Sequence, residues 1–276
     1  MNSCATKYPI LLIHGTGGRD RKYLCYWGRI PKALEERGAK IYYGGQDSWA
    51  TIEENAKMLK ANLLKALDNS GCERVNIIAH SKGGVEARYL ASTLGLGDKI
   101  ASITTISSPH HGSKALDIAW KLPRPLLKTA GAIVNLWFGL LGDSIPDFMN
   151  ACEEFTTVYM KEFNKKNPDA KEVYYQSYAT VMKNPASDML IWFPALIIWL
   201  VEGENDGLVA VNSAVWTNFR GVWRGATSRG ISHADSVDLR RRNLTKKKVD
   251  GITDIRKCYI EIVEELKKKA FEEYIT

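Results

Sequence analysis

Short apolar runs alternate with longer stretches of helical period along most of the chain. Residues 10–14 (ILLIH), 75–79 (VNIIA) and 100–106 (IASITTI) are nearly continuous in apolar and β-branched side chains, and each leads into a cluster of Gly, Ser or Pro. Such runs fit parallel strands buried on both faces. Residues 40–43, 172–179 and 197–201 are further strand candidates. Between them lie helical patterns. Residues 51–69 keep Ile52, Ala56, Leu59, Leu63 and Leu67 on one face, with Thr51 and Glu54 placed as a capping box and Gly71 as a stop signal. Residues 83–94 and 259–274 are also expected to be helical. Strands alternating with helices predict a single α/β domain, with a mostly parallel sheet covered by helices on both faces.

One segment breaks the alternation. Residues 113–172 contain helical patterns, no strand pattern and a heavy apolar load that includes Trp120, Leu126, Ile133, Trp137 and Leu140. The segment is too long for a loop in a compact domain and reads as an inserted helical cap. Two apolar stretches, residues 133–142 and 189–201, fall short of the roughly 20 residues that a spanning helix needs. Pro194 interrupts the second, so no transmembrane segment is expected.

Composition adds limits. The chain has 276 residues and is 45% hydrophobic, enough for a large core. Its net charge is +7, but the basic residues are dispersed. The densest basic stretch, residues 239–251, lacks interleaved aromatics, which argues against nucleic acid. A solvated face or an anionic lipid contact remains for that run. Five cysteines without CxxC spacing argue against a disulfide framework or a zinc site, and suit a reducing compartment. No basic-then-apolar leader precedes the first strand. The chain is expected to be cytoplasmic if its N-terminus is native, and secreted if it is a processed form carrying an added Met. Oligomeric state has no signal.

Candidate chemistry concentrates in residues 75–84 (VNIIAHSKGG). Ala79-His80-Ser81-Lys82-Gly83 fits the G-x-S-x-G turn, with Ala at the first small position, a strand before it and a helix after it. That turn lifts the Ser81 hydroxyl above the sheet and sets it at a helix N-terminus, where free N–H groups favour negative charge. A serine hydroxyl needs a base. His14, His80, His110 and His111 lie before or soon after Ser81, within other motifs. Only His233 lies late, and it is the base by elimination. The acid is expected between them, after a late strand. Residues 197–201 lead into Glu202-Gly203-Glu204-Asn205-Asp206-Gly207, which makes Asp206 the expected acid and Glu204 the alternative. An oxyanion needs two N–H donors. Lys82, next after Ser81, supplies one, and Thr16 in the loop at residues 14–18 (HGTGG) supplies the other.

Four motifs, YPILLIHGTGG, VNIIAHSKGG, TTISSPHHGS and NDGLV, resemble in order and spacing the landmarks of the Pseudomonas-type bacterial triacylglycerol lipases and their relatives, across nearly the whole chain. The resemblance implies an α/β-hydrolase fold with Ser81, Asp206 and His233 as triad and Thr16 and Lys82 as oxyanion donors. It implies a mobile helical lid at about residues 115–165, an ester or lipid substrate, and transient contact of the lid with a lipid interface. It implies no organic cofactor. It does imply a structural calcium ion, held by the Asp188 and Asp235 carboxylates and the Leu239 and Asn243 carbonyls, which would fix the loop carrying His233. The basic residues Arg240, Arg241 and Arg242 fall inside that loop and would repel a cation. Two departures stand out: Ala79 replaces the usual first Gly, and Asn212 and Ser213 stand where many secreted relatives carry a cysteine. Three functions are open: a lipase on acylglycerols, which the apolar cap favours; a carboxylesterase, thioesterase or acyltransferase on soluble acyl substrates; and a non-catalytic protein that kept the fold, against which a complete triad speaks.

Overall fold

The apolar runs become the centre of one parallel sheet in the computed structural model, which describes residues 2–20, 25–241, 244 and 250–272. Strands β1 (Ile10–Ile13), β2 (Ile41–Tyr43), β3 (Val75–His80), β4 (Ile100–Ile106), β5 (Tyr174–Val181) and β6 (Phe219–Arg224) pair in the order β2-β1-β3-β4-β5-β6, every pair parallel. Alternate residues of β1 explain why its run is continuous. Ile10 and Leu12 pack on one face against Ile30 and Leu34 of α1 (Ile30–Glu35) and Tyr259 and Val263 of α9 (Ile255–Glu272). Leu11 and Ile13 pack on the other, against Leu59 and Leu63 of α2 (Ile52–Ser70) and Ala87 and Leu90 of α3 (Lys82–Ala91). Helix α2 begins as its sequence predicts: Thr51 Oγ1 accepts a hydrogen bond from Glu54 N, and Gly71 closes the helix at φ 67°.

Two elements differ from expectation. Residues 197–201 are not a strand but the second half of helix α8 (Trp192–Glu202). A short apolar run cannot by itself distinguish strand from buried helix, and Pro194 is tolerated because it falls in the first helical turn. Strand β6 carries Arg220, Gly221 and Arg224 and shows no apolar run, because it is the sheet edge and only Trp223 is buried.

Helices α4 (Lys114–Ala119), α5 (Arg124–Leu140), α6 (Phe148–Glu153) and α7 (Thr157–Lys166) fill the segment between β4 and β5, where no strand lies. Helix α5 buries only Leu127 and Gly131, and Leu136 and Leu140 are 69% and 75% exposed. The end of α5 is fastened to the loop after β2 by two carboxylates. Asp143 accepts from Ser48 N and Trp49 N, while Asp47 accepts from Ser144 N and Ile145 N. Arg19, just beyond the HGTGG loop, pairs with both at 3.0 and 3.3 Å. Among the described residues no helix is long and apolar enough to cross a membrane.

Candidate active site

Loops at the C-terminal ends of the strands meet above the sheet, where open parallel sheets present their functional residues. Ser81 follows β3 directly and takes φ 55°, ψ −130°, a conformation side chains other than Gly seldom adopt. Its N–H donates to Ile106 O at 3.0 Å. The small neighbours are needed for contact: a Cβ on Gly83 would lie 2.5 Å from His14 O, and one on Gly15 2.6 Å from Ser81 Cβ. Ala79 can replace the usual glycine because it lies within β3 and its methyl belongs to the core that also holds Leu11 and Ile103.

Asp206 and His233 come together as the sequence predicts, although the predicted strand before Asp206 does not exist. The turn carrying Asp206 is held instead by the end of β5, where Met182 N donates to Asn205 O at 2.9 Å. Asp206 is fully buried, and its Oδ2 lies 2.8 Å from His233 Nδ1 and accepts from Thr180 Oγ1 at 3.1 Å. Oδ1 accepts from the N–H groups of Leu208 and Val209. Burial pushes the Asp206 carboxyl upward, but the His233 charge and these hydrogen bonds outweigh it, so it is held below its usual range. The alternative acid, Glu204, is turned to the surface in a bidentate pair with Arg224. Ser81 and His233 are 6% and 7% exposed, and the Ser81 hydroxyl makes no hydrogen bond among the described residues. Such contacts are often open before substrate binds.

Thr16, Ser81 and Lys82 line one cavity of about 340 Å³. Lys82 opens α3, so its N–H has no acceptor within the helix. Its ammonium group points away into the core, paired with Glu86, which also accepts from Asn55 Nδ2 at 2.6 Å and Gln46 Nε2 at 3.4 Å. Gln46 Nε2 donates to His14 O at 2.9 Å, so one buried network ties both expected oxyanion segments together. The i, i+4 spacing of Lys82 and Glu86 carried a signal for that pair.

The α/β hydrolase fold family matches residues 8–218. A triacylglycerol lipase of Pseudarthrobacter phenanthrenivorans is 31% identical, over 90% of this chain and 98% of its own. The chain belongs to the α/β hydrolase fold family. Triacylglycerol lipase 2 of Saccharomyces cerevisiae is 28% identical over 91% of this chain and 78% of its own. Among solved structures, the Staphylococcus hyicus lipase superposes with a TM-score of 0.69 at 17% identity, covering 98% of both chains.

The hydrolase has a second histidine against the first, which no sequence pattern announced. The His80 ring packs 4.3 Å from that of His233. Tyr26 Oη donates to His80 Nδ1, His80 Nε2 donates to Ser236 Oγ, and Ser236 Oγ donates to His233 O at 2.7 Å. Burial first, and then the His233 charge, hold the His80 pKa well below its usual value, so His80 is neutral and its tautomer is set by its partners. Cys152 also lines the cavity, but burial pushes its thiol up to about 12, which leaves it inert beside Ser81.

Two of the expected calcium ligands, Asp188 and Asp235, have protein partners of their own. Asp188 Oδ1 is held by the Arg240 guanidinium at 2.6 Å, and Asp235 Oδ2 accepts from Ser232 Oγ at 2.9 Å. Leu239 N donates to Ala234 O in the same loop, and Asn243 lies outside the described residues, as do Arg242 and Lys246 to Lys248 of the basic run.

Proposed function

We propose that this hydrolase cleaves long-chain acylglycerols through an acyl-enzyme on Ser81. Its relatives make it an ester hydrolase of the lipase or esterase type. The observation that carries the finer reading is the cavity beside Ser81. Beyond Thr16, Ser81, Lys82 and Ser113 it is walled by apolar groups, among them Leu116, Phe155, Phe193 and Ile197. With the Lys82 ammonium turned onto Glu86, no charge faces an acyl chain lying there.

His233 takes the Ser81 proton as the hydroxyl attacks the ester carbonyl, and Asp206 holds the ring in the required tautomer and stabilises the imidazolium. The N–H groups of Thr16 and Lys82 receive the oxyanion. His233 then protonates the leaving glycerol oxygen. Water, deprotonated by the same ring, cleaves the acyl-enzyme.

A p-nitrophenyl ester series from acetate to palmitate, run beside emulsified triglyceride, tests this reading. Rates rising toward long chains together with release of fatty acid from the emulsion support it. A maximum at acetate or butyrate with an untouched emulsion contradicts it and leaves a carboxylesterase.

The same reading assigns the cap to a lipid surface. Helix α5 has no acidic residue, carries exposed Arg124 and Lys128, and presents Leu136, Trp137 and Leu140 outward. Helix α8 flanks the cavity with exposed Phe193 and Leu200. An apolar face beside basic residues suits an interface. The Asp47–Asp143 clasp fixes the far end of α5, so the segment proposed to move is narrower than residues 115–165, ending at about residue 142. Trp137→Ser removes one large apolar contact, worth about 1.5 kcal/mol or more, and weakens adsorption roughly tenfold. It is expected to lower the rate on emulsified substrate by a similar factor while sparing soluble p-nitrophenyl butyrate. Equal losses on both substrates would place Trp137 in ordinary packing.

A further inference from the structure

We propose that Arg240 supplies, from the chain itself, the positive charge that relatives are expected to draw from calcium, so that this hydrolase fixes its His233 loop without a metal. Asp188 follows β5 and its side chain is buried. A buried carboxylate is costly unless a paired charge compensates it. Arg240 Nη2 donates to Asp188 Oδ1 at 2.6 Å, and a guanidinium is permanently charged. Asp188 Oδ1 also accepts from Leu190 N at 3.2 Å, and among the described residues Arg240 is the cation paired with this carboxylate.

The position of Arg240 in the chain gives that pair its consequence. It stands seven residues after His233, at the far end of a tightly bonded loop. Ser236 Oγ donates to His233 O, Asp238 N to Asp235 O, and Leu239 N to Ala234 O. Asp238, at φ 55°, is gripped by Arg29 through Nε at 2.8 Å and Nη2 at 2.7 Å. One arginine therefore ties the loop to the segment before α1, and the other ties it to the segment after β5. Asp206 is also tied to β5, through Met182. The Arg240–Asp188 bridge thus holds the two halves of the Asp206–His233 pair in one frame. A calcium ion on Asp188 would have to displace a guanidinium that already neutralises it. Arg240 is in this sense a positioning residue, acting on the reaction only through His233.

The test uses the full chain and reads three quantities: melting temperature, kcat and KM on p-nitrophenyl butyrate, and calcium binding by titration calorimetry. In the parent, chelation with EDTA and millimolar calcium are expected to change neither melting temperature nor kcat, and calcium gives no binding heat. Arg240→Ala is expected to lower the melting temperature and to lower kcat by up to roughly 100-fold, the cost of a small misplacement of a reacting group, with KM within about twofold. Arg240→Lys, which keeps a cation within reach of Asp188, retains most of both. A bridge that merely stabilised the fold would lower the melting temperature and leave kcat of the folded enzyme unchanged, and that result overturns the positioning role. Calcium binding to the parent, or a melting temperature that falls in EDTA and returns with calcium, overturns the proposal outright. That measurement needs no variant, so it decides even if Arg240→Ala does not fold. The kcat effect rests on Ser81, Asp206 and His233 acting as a triad; the melting and calcium readouts do not, so failure of one reading is distinguishable from failure of the other.

Discussion

Ser81→Ala is expected to lower kcat on p-nitrophenyl esters by on the order of 10⁶, the usual cost of removing a serine nucleophile, while the fold stays intact. Ser81 N still donates to Ile106 O in the variant, and the tight approaches of Gly15 and Gly83 do not involve the hydroxyl. Alanine must also take φ 55°, so the local strain of about 1–3 kcal/mol is carried over rather than relieved. The melting temperature should therefore remain close to that of the parent. The Cys152 thiol that lines the same cavity is a poor substitute, because burial keeps it protonated. A variant hydrolysing esters within tenfold of the parent would show that Ser81 is not the nucleophile.

Asp206→Asn should cost roughly 10⁴ in kcat, since an amide in that place favours the wrong tautomer of the histidine. The partners decide the matter. Asp206 accepts from Thr180, Leu208, Val209 and His233, whereas Glu204 is paired with Arg224 at the surface. Glu204→Gln should therefore leave kcat within a few-fold of the parent, because exposed pairs contribute little. Stability should respond to pH in a definite direction. The folded Asp206 pKa lies below its unfolded value, so its contribution is fully present above the ordinary carboxylate range and is lost as pH falls through the lowered folded value. The gap in stability between parent and Asp206→Asn should close in strong acid. If Glu204→Gln proves the more damaging change, the acid has been misassigned.

How far the sequence could be read followed from how local each signal was. The continuous runs of β1, β3 and β4 were legible because parallel strands buried on both faces leave no polar alternation. The Ser81 turn was legible because its small residues answer to backbone contacts only angstroms away. Asp206 was found on a mistaken premise: residues 197–201 form helix, and the turn bearing the acid hangs from β5 through a single backbone hydrogen bond that no periodicity reports. Strand β6 was hidden because an edge strand need not look buried. The contacts joining Tyr26, His80, Ser236 and His233, and the pairing of Arg240 with Asp188, span many residues of chain and carry no local pattern. The expected calcium set came from a family resemblance and its spacing, and neither registers the arginine paired with the Asp188 carboxylate.

The most direct test of a Ser81-centred acyl transfer is covalent labelling with a fluorophosphonate, located by peptide mass spectrometry. The expected result is one adduct per chain on Ser81 in the parent, none in Ser81→Ala, and strongly slowed labelling in His233→Ala, because the hydroxyl is a poor nucleophile without its base. An adduct on another residue, or full labelling of Ser81→Ala, would contradict it.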